Sequence, residues 1–138
     1  MQDTLQATQV RKDFSRFVDT VIHDKPQAVK RNHDVFWSLS QMMMTEVLSG
    51  YTFSLEYEQE DDGSLVGSLL PIQDIVVYGN TLKDLLDDAA AQLVEYAQDY
   101  YAHFDKYYHA PNRKSHLPYI LNVLSQQDND GVKKLIHA

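Results

Sequence analysis

Between Tyr51 and His109 the chain changes hydrophobic period once, and that change restricts the folds open to it. In "YTFSLEYEQEDDGSLVGSLL" the residues Tyr51, Phe53, Leu55 and Tyr57 alternate with Thr52, Ser54, Glu56 and Glu58, the pattern of a half-buried strand. Asp62-Gly63 is a strong turn signal, so Leu65–Leu70 is expected to return as the partner strand, and residues 72–78, after Pro71, form a third. Gly79-Asn80-Thr81 then opens a helix, with Asn80 or Thr81 as cap and Asp84 placed to complete a capping box. Its apolar stripe is Leu82, Leu85, Leu86, Ala89, Leu93, Val94, Ala97, Tyr101 and Phe104. Continued to His109, the helix has about 27 residues and is about 40 Å long. "APNRK" breaks it, and two short helices, at 117–124 and 130–137, close the chain. The expected class is α+β: a strand–helix–hairpin–helix unit, then an antiparallel three-stranded sheet packed by a long helix, with a helical C-terminal tail.

The first unit lies upstream of Ser49-Gly50, which divides the chain into domains 1–48 and 51–138. Residues 4–6 read as a short strand. Thr8 is placed to cap a helix carrying Val10, Phe14, Phe17, Val18, Val21 and Ile22, and that helix stops before Pro26. Residues 27–30 and 35–39 pair as a hairpin with Asn32-His33 at its tip, where Asn tolerates positive φ. A helix over 41–48 follows, holding Met42-Met43-Met44. A unit of about 48 residues is too small to bury an adequate core alone. It is therefore expected to form a homodimer, or a higher even oligomer, through Phe14, Phe17, Val21, Val35, Trp37, Leu39 and Met43.

Charge separates the halves further. Residues 1–48 carry six Lys/Arg and six Asp/Glu, whereas the rest carries six against fourteen, so the net charge of −8 belongs to the second half. The basic groups of the first half are focused. Arg11 and Lys12 are expected in the first turn of the first helix, where cations oppose the dipole and phosphate would relieve them, and Lys30 and Arg31 add charge from the hairpin tip. From charge alone, a phosphate site and a solvated turn are equally good readings. The chain has no Cys, which excludes disulfides, thiolate metal sites and a cysteine nucleophile. The N-terminal segment lacks the charged and apolar regions of a signal peptide, and no apolar run reaches the ~20 residues of a membrane span, so a soluble cytoplasmic protein with no membrane partner is expected. Glu56, Glu58, Asp61 and Asp62 on a strand and turn, and Asp87-Asp88 on a helix, read as solvated faces rather than as a two-metal nuclease. His103, His109 and His116 are spaced too widely for a helical zinc pair, and no cofactor is expected. Tyr96, Tyr100, Tyr101, Tyr107 and Tyr108 are too many for one helix face, so some should meet a partner.

The spelling adds two resemblances. "ATQVRKDFSRFVDTV" followed by "QAVKRNHDVFWSLS" resembles the N-terminal domain of the Phd/YefM antitoxins, with Thr8, Val10-Arg11, Phe14 and Ser15 on the motif of its first helix and Lys30-Arg31 on its basic hairpin tip. Val10 stands where alanine is usual, and His33 near the usual turn glycine. In the second half, Asp62-Gly63, Pro71, Gly79, Thr81 and Leu82 fall on the pattern of HicB-type antitoxin domains, a partial ribonuclease-H-like fold without catalytic residues, although the usual Pro-Asp-Leu-Pro-Gly stretch is reduced to "PIQDIVV". These resemblances imply a non-enzymatic antitoxin of a type II toxin–antitoxin system. Such a protein would repress its own operon by binding operator DNA through Thr8, Arg11, Lys12, Lys30, Arg31 and Asn32. It would mask a small basic RelE-type ribonuclease, with Tyr100, Tyr101, Tyr107, Tyr108, Leu117, Tyr119, Ile120 and Leu124 as candidate anchors. Truncation after Pro111 is then expected to spare DNA binding and speed toxin release. The other reading is a protein–protein interaction module of HicB-like fold that does not bind DNA.

Overall fold

In the computed structural model, which describes residues 3–138, strand β1 (Thr4–Gln6) lies parallel to β2 (Gln27–Arg31), and β2 pairs antiparallel with β3 (Asp34–Ser38) in a sheet of order β1-β2-β3. The β2–β3 hairpin closes through the two-residue turn Asn32-His33, with Asn32 at φ 55°, the left-handed conformation that its short polar side chain tolerates. The connecting helix is not continuous. Helix α1 (Ala7–Lys12) ends at Asp13, whose backbone leaves the helical region (φ −141°, ψ 69°), and α2 (Phe14–His23) restarts from it. Asp13 Oδ1 accepts from the Arg16 N–H at 3.3 Å, so the aspartate takes the capping role that its side chain prefers to a mid-helix position. The α1 cap is Gln6, whose N–H donates to Gln9 Oε1 at 3.0 Å, and not Thr8. Helix α3 (Gln41–Val47) is capped by Ser40, whose Oγ accepts from the Met43 N–H at 3.1 Å. Leu39 lies beyond the end of β3 rather than on its face.

The described residues divide into two compact units, the first ending at Glu46 and the second starting at Val47. The second is a four-stranded sheet of order β6-β5-β4-β7, covered on one face by α4 (Leu82–Ala102). Strands β4 (Phe53–Gln59) and β5 (Leu65–Leu70) form the expected hairpin in register Leu55↔Leu69, and Gly63 at its turn adopts φ 89°. Strand β6 (Val76–Gly79) starts later than expected, because residues 72–75 form a turn that buries Ile72 and Ile75. The fourth strand, β7 (Ile136–His137), is parallel to β4 and stands where a helix over 130–137 was expected; that helix, α7, is only Asn129–Lys133. The "three-stranded" expectation fails there, since two residues are too short to show a period.

Thr81, not Asn80, caps α4, its Oγ1 accepting from the Asp84 N–H at 3.1 Å. Gly79 is required just upstream, because a Cβ there would sit 2.4 Å from the Leu85 nitrogen. The expected 27-residue helix breaks at His103 (φ −119°, ψ 47°), and α5 (Phe104–Tyr108) follows. After a 3-10 turn (Lys114–His116), α6 (Leu117–Leu124) folds back, and Ile120, Val123, Val132 and Ile136 join Phe53, Leu69, Leu85 and Leu93 in one core. The helix face that enters this core contains Ala90 and Tyr100, while Leu82, Tyr101 and Phe104, assigned to the core from spacing, are exposed. Among the described residues, no helix is long and apolar enough to cross a membrane.

Candidate functional site

The parallel β1–β2 register sets Gln6 beside Lys30, so the start of α1 is brought against the hairpin tip. Gln6, Ala7, Thr8, Arg11, Lys30, Arg31 and Asn32 line one opening of about 620 Å³. Five of the six residues assigned to DNA therefore meet in one place, and Lys12, their neighbour in sequence, is the one that does not line it. Arg11 and Lys12 lie in the last turn of α1, not the first. Their charges suit the local dipole, and the expected mismatch relieved by phosphate does not exist. The electrostatic point that survives is pairing: among the described residues, Arg11, Lys12, Lys30 and Arg31 form no salt bridge, whereas Lys83, Arg113 and Lys133 of the second unit each hold a carboxylate. Unneutralised cations around a concave opening create a positive potential that an anion could occupy.

A second feature of this unit is apolar. Only Ala28 and Val29 are fully buried between residues 3 and 46, while Phe14, Val35, Trp37 and Leu39 are exposed and Phe17, Val21 and Met43 half-buried. Phe36, Ile22 and Met42, outside the expected set, are exposed too, and Met42 is the most exposed of these at 76%. Alternation hides Phe36, since it points to the face opposite Val35 and Trp37, and both faces of β3 are open.

In the second unit the tyrosines sort into two groups. Tyr100 is fully buried and donates its O–H to the Arg113 carbonyl at 2.8 Å; Tyr107 stacks on it at 5.2 Å and hydrogen-bonds Asp99, which raises the phenol pKa and lowers that of the carboxyl. Ile120 is core as well, so Tyr100 and Ile120 are removed from the exposed anchors and Tyr107 is largely committed. Tyr101, 68% exposed, and Leu124 remain at the surface, with Tyr108, Leu117 and Tyr119 half-buried. Tyr119 is edge-on to Tyr51 at 5.3 Å, and Tyr108 stacks on Phe104 at 5.1 Å. The three histidines lie apart: His103 meets Asp99, His109 meets Asp105, and His116 meets Tyr96. Among the described residues no cluster of His, Asp or Glu is built to hold a metal.

His116 is buried, with its Nδ1 2.8 Å from Tyr96 Oη, which in turn accepts from the Arg113 guanidinium at 3.0 Å. Burial and the neighbouring Arg113 charge hold the His116 pKa below its ordinary 6.5, against a smaller opposing effect of Asp74, itself 2.5 Å from Arg113. The stability this neutral imidazole contributes is thus complete above about pH 6.5 and is lost as pH falls towards the depressed folded value. Thermal melts between about pH 7.5 and pH 5 are expected to show a falling Tm, with the slope reduced in His116→Gln; an unchanged slope would assign the effect to other groups.

The family of PHD-like antitoxins, described as "antitoxin of toxin-antitoxin, RelE / RelB, TA system", matches residues 1–138. Among solved structures, the chain is similar to one from Syntrophomonas wolfei subsp. wolfei, described as the antitoxin part of a proposed toxin/antitoxin system, with 42% identity, a TM-score of 0.94 and coverage of 99% of this chain and 98% of that one. No curated protein matches the sequence.

Proposed function

The chain belongs to the PHD-like antitoxins of RelE/RelB toxin–antitoxin systems, regulatory proteins rather than enzymes with a cognate toxin as partner, and from that premise we propose that its first unit is an operator-binding, autorepressing module of Phd/YefM type and its second a HicB-like unit that masks a small basic RelE-type ribonuclease. The observation that carries the DNA half is the opening lined by Arg11, Lys30, Arg31, Thr8 and Asn32, with its unpaired cations. Arginine and lysine side chains there match phosphate, and the Asn32 and Thr8 side chains offer neutral hydrogen bonds to the backbone oxygens of a duplex. The acidic second unit repels nucleic acid and attracts a basic partner, which favours a division of labour between the units.

Salt titration of operator binding tests this. The log–log slope of affinity against salt changes by about −0.9 per phosphate neutralised. In a dimer, Lys30→Ala with Arg31→Ala removes four cations, so the slope should flatten by about 3.6 and all sequences should weaken alike. An unchanged slope removes the hairpin tip from the interface. Absence of any salt-sensitive binding favours the interaction module that never touches DNA.

A further inference from the structure

The second unit's sheet has two edges, and the fold closes only one of them. At β6 the Tyr78 N–H donates to Asp88 Oδ2 at 2.9 Å, and the Val76 carbonyl accepts from Gln92 Nε2 at 2.8 Å. Side chains of α4 thus occupy the outward backbone groups of that edge, a standard protection against strand addition. At the other edge, β7 pairs only with Phe53 and Ser54, although β4 runs on to Gln59. The Phe53 N–H donates to the Leu135 carbonyl at 2.8 Å, so its backbone groups point away from β5. Strand alternation turns the N–H and C=O of Tyr57 and Gln59 the same way. Past Ser54, no strand among the described residues pairs with this edge.

The side chains along the open edge select what adds to it. Glu56 and Glu58 lie on the sheet face away from α4, and Glu60, Asp61 and Asp62 continue the run at the turn. Tyr57, on the other face, is 44% exposed. Beside Glu56 and Glu58 the outer sheet face continues inward to Val66 and Ser68 of β5 and Val76 of β6, so the carboxylates are the outermost groups on that face next to the open edge. Two copies joined edge to edge would oppose glutamates to glutamates, an unfavourable cross-strand pairing. An extended segment carrying basic residues at alternate positions meets no such penalty, gains main-chain hydrogen bonds, and sets those residues beside Glu56 and Glu58. We infer that the free edge of β4 at residues 56–59 is an addition site for an extended basic segment of the cognate toxin, which prolongs the sheet beyond β7. This rests on the antitoxin reading, since that reading supplies the partner.

Amide hydrogen exchange on the full chain, alone and mixed with the polypeptide encoded by the adjacent reading frame, tests the inference. The Tyr57 and Gln59 amides should exchange at least about tenfold more slowly in the complex. Tyr57→Pro removes only an outward N–H, which an edge strand tolerates, and should weaken the complex about tenfold more than Tyr57→Ala. Glu56→Lys with Glu58→Lys, both on exposed positions, should slow association about tenfold at low salt with an unchanged melt. A complex in which both amides exchange at their free rates overturns the edge site and leaves the antitoxin reading standing. No complex overturns both. Protection that grows with concentration in the chain alone assigns the edge to a second copy and also overturns the inference.

Discussion

Sedimentation of the full chain at micromolar concentration is expected to give a dimer, and Trp37→Glu a monomer. Two fully buried residues, Ala28 and Val29, are too few to hold a 46-residue unit, yet Phe14, Ile22, Phe36, Trp37 and Met42 stand exposed around them. Isolated exposed apolar residues are ordinary, but a set this dense on α2, β3 and α3 is what an uncovered interface would present, and this is the basis of the expected dimer. Trp37 is 54% exposed and sits opposite Ala28 on the edge strand β3, where a partner can cover it fully. Truncating a buried interface tryptophan costs on the order of 2–4 kcal/mol, and a carboxylate at the same place adds desolvation. Both protomers of the dimer carry the change, so the dimer Kd should rise by at least about three orders of magnitude. Tyr101→Glu, at an exposed aromatic of the second unit, is the control and should leave the dimer intact. A stable wild-type monomer at that concentration would sink the prediction, and with it the paired half-sites of a palindromic operator.

Local signals were legible where one residue's conformational preference decided the outcome. Asn32 at positive φ, Asp62-Gly63 at the β4–β5 turn and Thr81 at the head of α4 all behave as their side chains dictate. The grouping of Arg11 with Lys30 and Arg31 was not legible in this way, since it depends on the parallel pairing of Gln6 with Lys30, which a three-residue strand does not announce. What failed was the interior of long helical patterns. Asp13 and His103 both end a helix while the apolar period runs past them, because periodicity reports which side is buried and not whether the backbone continues. The exchange of Tyr101 for Tyr100 has the same root: 3.6 residues per turn carries the stripe from Leu93 and Ala97 to Tyr100, and a wide aromatic run masks that step. Strand β7 left no trace, since its place depends on α6 and α7 returning the chain to β4.

That return changes what truncation after Pro111 does. Sequence reading treats the tail as a contact arm whose loss speeds toxin release, but the structure makes it part of the core. Residues beyond Pro111 supply Ile120, Val123, Val132 and Ile136, all buried against α4 and the sheet. They also supply the Asn122 Nδ2 donor to the Tyr51 carbonyl at 2.8 Å, and Lys133, whose ammonium lies 2.7 Å from Asp87. Lys133 and Lys83 together hold the Asp87 carboxyl down to about 2, so this clamp between α4 and α7 persists until pH falls through that value. Burying one aliphatic side chain contributes about 1.5–3 kcal/mol, so four contribute about 6–12, against a total of about 5–15 for an ordinary domain. The truncated chain is therefore expected to lose the second unit's cooperative melt and the toxin neutralisation proposed for it, while the DNA binding proposed for the first unit, which draws on none of these residues, should persist. Tyr101→Ala isolates the contact role: its side chain is 68% exposed, so the melt should stay put while toxin affinity falls. A truncated chain that melts like the full one would return the tail to the surface and restore a faster dissociation as the effect of its loss.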